Sequence, residues 1–432
     1  MRAAGRQQKR SDPALSLGEL PDGAYLGRIR ERTASVHQAV FERKGVRTMR
    51  TARVIIGANY GDEGKGLMTD YFASEAPEQC VVIRFNGGAQ AGHTVVTPEG
   101  CRHVFSHFGA GTMAGASTYL SQFFIVNPIM FVKELAELKS LGLNPTVSIQ
   151  DNALVTTPYD MFINQLLESK RAGARHGSCG LGINETVTRC LRSPSLLIQA
   201  KDLLRPHRLA AQLLELRHTW LPARLREFGI EYECEEVASF LSKLEQIVSS
   251  FVVDAGTLLD AAAISRQYPT DKHVIFEGAQ GLMLDEDRID QFPHLTRSKT
   301  DLSNVLFLAR KLELDELAVT YVTRSYLTRH GQGPMPGECD LWFPDQTNVA
   351  NQFQGRLRFA PLHLEQMQDS IRKDLARARR SFGKVDANLA VTCMDQMDLP
   401  AGRLCLPVKY ASYGQTRADV KEFAAVSYAS VK

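Results

Sequence analysis

The feature that most constrains the fold of this 432-residue chain is a short apolar run that leads directly into a glycine-rich loop. Val54–Gly57 is rich in β-branched residues and ends in glycine, which is typical of a buried parallel strand. The loop contains GDEGKG at Gly61–Gly66, and Leu67–Ala73 after it has helical character. Glycines let backbone amides turn towards an anion, and a helix N-terminus favours phosphate. The pattern therefore predicts a phosphate-binding loop between a strand and a helix.

This loop does not follow the usual P-loop pattern. Asn59 stands where that pattern requires its first glycine, and Gly66 replaces the hydroxyl residue after the lysine. Lys65 adds a cation beside the predicted phosphate. Asp62 is unusual in a phosphate cradle, where a carboxylate can bind Mg²⁺ or act as a general base. The alternative interpretation is a tight turn with a solvated aspartate and lysine.

Further glycine-rich loops follow other apolar runs. His93 comes after the glycines of Asn86–Gly92 and could donate a proton or hydrogen bond to developing negative charge. Gln280 lies in a glycine turn that ends the run Val274–Phe276, and it could contact a base or a phosphate. Each loop alone is also compatible with an ordinary structural turn.

Two basic stretches complete the candidate site. Thr323–Pro336 is basic, and its prolines should stiffen its end. Arg356 and Arg358 offer two guanidinium groups on either side of one residue, a spacing suited to holding a carboxylate. The alternatives are a solvated connecting loop and an ordinary surface arginine pair.

The order of apolar runs predicts the fold class. Helical periodicity at Ile129–Leu141 and in the leucine-rich segment 203–250 alternates with short strand-like runs. This alternation is typical of an α/β fold with a large, mainly parallel sheet and helical and loop insertions. The strand-like runs after the first are Cys80–Phe85, Val274–Phe276, Leu317–Val322 and Leu389–Thr392.

The first 48 residues differ from the rest, with ten Lys/Arg against five Asp/Glu and no periodic apolar pattern. We predict a poorly structured extension over residues 1–48 and a single α/β domain over residues 49–432. The extension is Arg-rich like a transit peptide, but its acidic residues argue against that interpretation.

The composition of the chain indicates which kinds of partner to exclude and which cell compartment to expect. The net charge of +3 gives no bulk field that would favour nucleic acid or an anionic membrane. No apolar run approaches the length needed to span a bilayer. Eight cysteines occur without a C-x-x-C pair, which favours reduced thiols over disulfides or zinc. We therefore expect a soluble cytoplasmic protein with no nucleic-acid or membrane partner.

Taken together and in order, these loops resemble the adenylosuccinate synthetase family over roughly residues 53–400. The resemblance implies a fold similar to P-loop NTPases. It also implies a ligase reaction that joins L-aspartate to the 6-position of IMP, using GTP and Mg²⁺, in a homodimer. The matching blocks are GDEGKG at Gly61–Gly66, NGGxxAGHT at Asn86–Thr94, FEGAQGxxLD at Phe276–Asp285, LTRS at Leu295–Ser298 and TRxGxGPxPxE at Thr328–Glu338.

The resemblance also assigns roles to individual residues. Asp62 resembles the base that removes the N1 proton of the 6-oxopurine, His93 the acid, and Lys65 and Gln280 further catalytic residues. Asp62 and Gly92 are the implied Mg²⁺ contacts. The implied donor-binding residues are Gly61, Glu63, Gly64, Lys65, Gly66, Thr94, Thr392 and Asp395. The implied substrate-binding residues are Asn86, Gln90, Ser178, Cys179, Arg192, Thr296, Gln354, Arg356 and Arg358.

Several positions depart from the family pattern. Gln90 replaces an asparagine, Cys179 replaces the second threonine of a phosphate-contacting loop, and the threonine-rich aspartate loop reads Asn351–Gln354. In Thr392–Asp395 the lysine that packs on the guanine is replaced by a cysteine. The arginine that reaches into a partner subunit's site corresponds to Arg189 or Arg192, and the sequence leaves both open.

These departures leave three hypotheses for the function. The first is the IMP reaction, which retention of Asp62 favours. The second is the phage branch of the family, which condenses aspartate with dGMP and uses ATP or dATP as donor. The third, from another class, is a catalytically degenerate nucleotide-binding regulator. A generic P-loop GTPase switch is disfavoured by the failed P-loop pattern.

Overall fold

The structure, a computed structural model, describes residues 49–171, 177–344, 356–400 and 402–426. The chain divides into two units, Met1–Met49 and Arg50–Lys432, and the fold below is that of the second. The predicted extension over residues 1–48 lies outside the described residues, so its poor structure stays a prediction, as does the single domain over residues 49–432. No helix in the described ranges is long and apolar enough to cross a membrane.

Fourteen strands occur in the described part of the chain, ten of them in one sheet. They are β1 Thr51–Gly57, β2 Cys80–Arg84, β3 His93–Val96, β4 Arg102–Phe105, β5 Ser117–Leu120, β6 Val147–Gln150, β7 Ala262–Ser265, β8 His273–Glu277, β9 Glu316–Arg324, β10 Tyr326–Arg329, β11 Arg358–Pro361, β12 Lys384–Thr392, β13 Val408–Ser412 and β14 Val420–Val426.

The α-helices of the described residues fall between these strands. They are α1 Lys65–Ala73, α2 Pro128–Ser140, α3 Pro158–Arg171, α4 Ile183–Arg192, α5 Ala200–Leu203, α6 Pro206–Glu215, α7 Leu221–Glu227, α8 Glu235–Ser242, α9 Leu244–Ala261, α10 Ser303–Lys311 and α11 Leu364–Ser381. Helices α6 to α9 confirm the prediction of a helix-rich segment around residues 203–250.

The large sheet has the strand order β14-β13-β12-β9-β1-β8-β2-β5-β6-β7. Its neighbouring strands are parallel except for β13 and β14. The strand β1 is central, because Val54 lies opposite Phe276 of β8 on one side and Val319 of β9 on the other. The predicted α/β fold with a large, mainly parallel sheet is therefore confirmed.

The parallel arrangement explains why β1 is continuously apolar. Val54, Ile55 and Ile56 are all buried, since helices or loops cover both faces of the sheet. It also places the carboxyl ends of β1, β2, β8, β9 and β12 along one edge. The loops that follow these strands are the ones that the sequence singled out, so this edge is where a ligand site is expected.

Two antiparallel hairpins lie outside the large sheet. Strands β3 and β4 pair His93 with Phe105, and strands β10 and β11 pair Arg329 with Arg358. The first hairpin fixes His93 as the initial residue of a strand. The second brings the basic stretch after β9 against the segment that carries Arg358.

Candidate active site

A cavity of about 710 Å³ opens at the carboxyl edge of the sheet. It is lined by the loops after β1, β2 and β8 and by the start of α4. This volume lies in the range of small-molecule sites. Most of the predicted site residues meet here: Gly61, Asp62, Gly64, Lys65, Gly66, Gln90, Gly92, His93, Thr94, Ser178, Cys179, Arg192, Gln280 and Thr296.

The glycine-rich loop is organised around a buried carboxylate. Glu63 Oε1 accepts hydrogen bonds from the backbone amides of Asn59 (3.0 Å) and Gly61 (2.8 Å). Glu63 Oε2 accepts from Lys65 Nζ at 2.7 Å, and both side chains are buried. Glu63 was predicted to contact the donor, but its carboxylate faces the interior of the loop because these three donors require it. Lys65 is thereby held at the first turn of α1, with its ammonium at the cavity.

The loop after β1 and the loop after β2 are in direct contact. A Cβ atom on Gly66 would lie 2.8 Å from the carbonyl oxygen of Thr94 and 3.1 Å from the Cβ atom of His93. A side chain would therefore push the two loops apart. This contact explains why glycine, rather than a hydroxyl residue, follows Lys65, and it sets His93 beside the predicted phosphate loop.

Two site residues adopt a backbone conformation that side chains disfavour. Asp62 has a φ angle of 59° and Gln280 one of 61°. Such left-handed conformations cost about 1–2 kcal/mol for a non-glycine residue. The carbonyl oxygen of Asp62 accepts a hydrogen bond of 2.6 Å from Arg324 Nε, which holds the strained residue in place. Strain of this kind clusters at functional sites and here turns both side chains into the cavity lining.

His93 is oriented by a carboxylate that the sequence analysis missed. His93 Nδ1 lies 2.7 Å from Glu277 Oε1, and Glu277 Oε2 accepts from the backbone amide of Ala110 at 3.0 Å. Arg84 Nε stands 3.9 Å from the same Oε2 atom. Burial lowers the pKa of His93, and the Glu277 carboxylate opposes that shift. In the sequence, Glu277 is indicated only by its position as the acidic residue at the end of the apolar run that forms β8.

Several buried polar atoms at the cavity have no hydrogen-bond partner among the described residues. They are Nε2 of His93, Oγ1 of Thr94 and both amide atoms of Gln90. An unsatisfied buried polar group costs about 1–3 kcal/mol, so such groups are rare in folded proteins. Their concentration in one cavity indicates that a polar ligand completes their hydrogen bonding.

Some predicted contacts instead connect the loops to one another. Asn86 Nδ2 donates to the carbonyl oxygen of Ala279 at 3.0 Å, and Asn86 Oδ1 accepts from the Ala279 amide at 2.7 Å. Thr392 Oγ1 donates to the carbonyl oxygen of Glu63 at 2.7 Å. Neither residue lines the cavity. In this structure loop-to-loop bonds engage the polar atoms of the Asn86 and Thr392 side chains, and the predicted ligand contacts of the two residues stay predictions.

The predicted carboxylate clamp is not assembled as expected. Arg358 donates to the carbonyl oxygens of Gly331 (3.0 Å) and Gly333 (2.8 Å) and pairs with Glu338, so its guanidinium is engaged within the fold. Arg356 is exposed and does not line the cavity. Gln354 lies outside the described residues. Asp395 is exposed after β12 and also lies away from the cavity lining.

Arg189 and Arg192 differ in their burial and in their contacts. Arg189 is fully buried and binds both carboxylate oxygens of Asp160, at 2.9 and 2.8 Å. It also donates to two backbone carbonyls, so it is a structural residue. Arg192 is half exposed and lines the cavity. Of the two, Arg192 is the one that lies at the cavity, and which of them reaches into a partner subunit's site stays a prediction.

Two further cavity residues were not predicted as contacts. Arg329 lies 4.6 Å from the ring centroid of Tyr60 and donates to the carbonyl oxygen of His294 at 2.8 Å. Burial lowers the pKa of Arg329 to about 10. His330 Nε2 is 3.9 Å from Asp62 Oδ2. Both lie in the basic stretch after β9, but sequence alone could not show which of its side chains face inward.

The site also offers groups suited to Mg²⁺. Magnesium is commonly held by one or two carboxylates together with substrate phosphates. The partly exposed Asp62 carboxylate and the backbone of Gly92 line the same cavity as Lys65. No group of three or more His, Cys, Asp or Glu side chains forms a metal site among the described residues. The arrangement therefore fits an ion that arrives with a nucleotide rather than an all-protein cage.

Comparison with known proteins identifies the family. The sequence model for adenylosuccinate synthetase matches residues 54–385. The chain belongs to the adenylosuccinate synthetase family. A curated adenylosuccinate synthetase from Synechococcus sp. is 32% identical over 296 residues, which cover 66% of this chain and 64% of the relative. The chain thus spans somewhat less than two thirds of that relative's length.

Solved structures support the same fold. A fully ligated adenylosuccinate synthetase from Plasmodium falciparum matches with a TM-score of 0.66 at 18% identity, covering 86% of this chain and 100% of that one. Cyanophage S-2L succinoaminodeoxyadenylate synthetase, bound to dGMP and to dATP as an energy donor, matches with a TM-score of 0.57 at 14% identity, covering 87% and 95%. At these identities the likeness concerns the fold. The predicted family membership is confirmed.

Proposed function

We propose that this protein is a ligase that condenses L-aspartate with the 6-oxo position of a purine nucleoside monophosphate, driven by GTP or ATP hydrolysis. The observation that carries the proposal is the cavity in which Asp62, Lys65 and the Glu277-oriented His93 meet. These are the base, cation and acid that the reaction requires. The alternative, a nucleotide-binding regulator without turnover, does not explain why Asp62 and His93 are both present at the cavity, nor why Asp62 has a strained backbone.

The first step activates the purine oxygen. The Asp62 carboxylate removes the N1 proton of the acceptor, and the resulting negative charge on O6 attacks the γ-phosphorus of the donor. The bond from that phosphorus to the donor's β–γ bridging oxygen breaks, and the nucleoside diphosphate leaves. Lys65 and His93 Nε2 face the cavity where negative charge develops, so they stabilise the transferring phosphoryl group.

The second step forms the carbon–nitrogen bond. The aspartate amino group attacks C6 of the 6-phosphoryl intermediate, and inorganic phosphate leaves with the original O6 atom. The amine loses a proton as the bond forms. The product is adenylosuccinate from IMP, or the 2-amino-2′-deoxy derivative of adenylosuccinate from dGMP.

Magnesium would neutralise charge on the donor phosphates when bound. Asp62 and the backbone of Gly92 are the residues that would hold it. The same Asp62 carboxylate would then serve both the metal and the acceptor proton.

The acceptor and donor are further parts of the proposal. IMP is favoured because Asp62 is retained, whereas the phage branch often replaces this residue to make room for a 2-amino group. Cys393 stands where the family has a lysine that packs on the guanine of GTP. The absence of this lysine supports a donor choice that includes ATP or dATP. We also propose a cytoplasmic homodimer, as the family implies. The eight free cysteines suit a reducing compartment.

A matrix of acceptors and donors tests this function. IMP, dIMP, GMP and dGMP are each combined with GTP, ATP or dATP, with and without aspartate, and products are identified by mass. We expect aspartate-dependent phosphate release and a succinyl-purine product with IMP. Product from dGMP instead of IMP would select the phage-type reaction, and no phosphate release in any combination would reject the ligase.

Restoring lysine at position 393 should shift donor choice. Cys393 follows Thr392 at the end of β12 and has a φ angle of 60°, which lysine can adopt at a cost of about 1–2 kcal/mol. A lysine stem packed on a guanine would raise the ratio of kcat/KM for GTP to that for ATP by about fivefold, as a weak cation–π contact allows. The exposed Cys339→Lys is the control, and an unchanged ratio in Cys393→Lys would contradict the idea.

A further inference from the structure

The loop that follows β8 closes on itself and forms one wall of the cavity. This loop, Gly281–Thr300, contains the segment Phe292–Arg297, and all six residues of that segment line the cavity. The two arms of the loop are joined, because the Thr296 amide donates to the carbonyl oxygen of Leu284 at 2.9 Å. Contacts that fix the base of this loop therefore also fix the cavity wall.

A buried carboxylate holds the base of the loop. Asp285 Oδ2 accepts a hydrogen bond from the backbone amide of Thr300 at 2.6 Å, and Asp285 Oδ1 accepts from the Asp287 amide at 3.0 Å. Lys299 Nζ lies 3.6 Å from the same Oδ1 atom. Asp285 and Thr300 are both buried, and neither is among the described residues that line the cavity. An influence of either residue on a ligand must therefore pass through another residue.

The Thr300 side chain connects this base to Gln280. Thr300 Oγ1 donates to the carbonyl oxygen of Gly281 at 3.0 Å. Gly281 also packs against the glycine-rich loop, where a Cβ atom on it would lie 2.7 Å from Glu63 Oε1. The peptide that follows Gln280 is thus held by two separate segments. Gln280 has a φ angle of 61°, and a strained conformation of this kind persists only where the surroundings hold it.

We infer that Thr300 and Asp285 are positioning residues: Thr300 holds the Gly281 carbonyl so that the Gln280 side chain faces the acceptor nucleotide, and Asp285 holds Thr300. A side chain that is fixed before binding loses less conformational freedom when the ligand arrives, which strengthens binding. This inference rests on the proposed function, which makes Gln280 a contact of the acceptor.

The test compares binding of acceptors with binding of donors. IMP, dGMP, GTP and ATP are each titrated calorimetrically into the full chain and into Thr300→Val, Gln280→Ala and the double variant. Valine keeps the shape and the backbone amide of Thr300, and the Leu284 amide still donates to the Gly281 carbonyl at 2.9 Å, so Thr300→Val should fold.

We expect Thr300→Val to weaken binding of the acceptor about fivefold, the effect of one hydrogen bond, and Gln280→Ala to weaken it about thirtyfold. Donor binding should stay unchanged, because the contacts of Glu63 within the glycine-rich loop remain. In the double variant, Thr300→Val should add no further loss, because its effect acts through Gln280.

Asp285→Asn tests the other half of the inference. Asparagine has one acceptor oxygen, whereas the Asp285 carboxylate accepts from two backbone amides. We expect this variant to weaken acceptor binding about tenfold without affecting donor binding. Adding Thr300→Val should not increase that loss, and full additivity of the two substitutions would overturn the role of Asp285.

Ser117→Ala is the control, because it also removes a side-chain hydrogen bond to a carbonyl oxygen, that of Cys80 at 3.1 Å. Ser117 is the first residue of β5, at the opposite edge of the sheet from the cavity. A merely structural role for Thr300 predicts a lower Tm and equal losses for acceptor and donor. That outcome, additivity of Thr300→Val with Gln280→Ala, unchanged acceptor binding in Gln280→Ala, or equal behaviour of Thr300→Val and the control would overturn the inference.

The same titrations separate this inference from the proposed function. If the wild-type chain binds IMP or dGMP but forms no product in the acceptor matrix, the ligase fails while the comparison of variants still decides the role of Thr300. Absence of binding of both acceptors by the wild type would overturn both.

Discussion

Replacement of Asp62 is expected to lower kcat by a factor of about 10² to 10⁴, the range that a positioned general base contributes. Asp62→Asn is the informative variant, because asparagine tolerates the φ angle of 59° and keeps the loop conformation. The hydrogen bond from Arg324 Nε to the Asp62 carbonyl at 2.6 Å is a backbone contact and should persist. Donor nucleotide should therefore still bind, since Lys65 and the loop amides remain in place and the asparagine carbonyl oxygen can still contact Mg²⁺.

Rapid-quench measurement of the chemical step, with calorimetry of donor binding, checks this expectation. Asp369→Asn is a suitable control, because Asp369 is an exposed carboxylate on α11 that pairs with a neighbouring arginine. Turnover retained in Asp62→Asn would remove this residue from the role of base. If Asp62→Asn loses donor binding but keeps the rate of the chemical step, Asp62 acts as a Mg²⁺ contact and not as the base that removes the N1 proton.

The second large effect is expected at His93. His93→Ala should lower kcat by about 10² to 10⁴, because it removes the imidazole nitrogen that is proposed to stabilise the transferred phosphoryl group. Glu277→Gln should lower kcat less, by about tenfold, since the ring is retained but loses the carboxylate that favours its charged form. The double variant should be no worse than His93→Ala, because Glu277 acts through His93.

The pH dependence follows from the same pair. Burial lowers the pKa of His93 and Glu277 raises it. A group that must be protonated loses activity as the pH rises through its pKa. Loss of the carboxylate lowers that pKa, so Glu277→Gln should lose activity at lower pH than the wild type. His273→Ala, at the exposed start of the same strand, is the control, and an unshifted kcat profile in Glu277→Gln would contradict the assignment.

The fold and the position of the site could be predicted from the sequence because both depend on local pattern. Apolar runs ending in glycine marked β1 and β8, and parallel strands bring their carboxyl ends to one edge. Asp62 and His93 were predicted as site residues because each is a titratable residue in a glycine-rich loop after a strand, and both line the cavity.

The direction in which a loop side chain points depends on contacts that sequence does not show. Glu63 lies between two cavity residues, yet its carboxylate is drawn inward by the amides of Asn59 and Gly61. Arg189 and Arg192 are three residues apart on α4, and a buried Asp160 on another helix decides which of them is structural. Such pairings join distant segments, so only the folded chain shows them.

The central claim is that O6 of the acceptor becomes an oxygen of the released phosphate. The most direct measurement uses IMP labelled with ¹⁸O at O6, incubated with aspartate, donor and Mg²⁺, followed by mass analysis of the inorganic phosphate. Phosphoryl transfer to O6 predicts one labelled oxygen in each phosphate released with product. Unlabelled phosphate released together with product would contradict the 6-phosphoryl route.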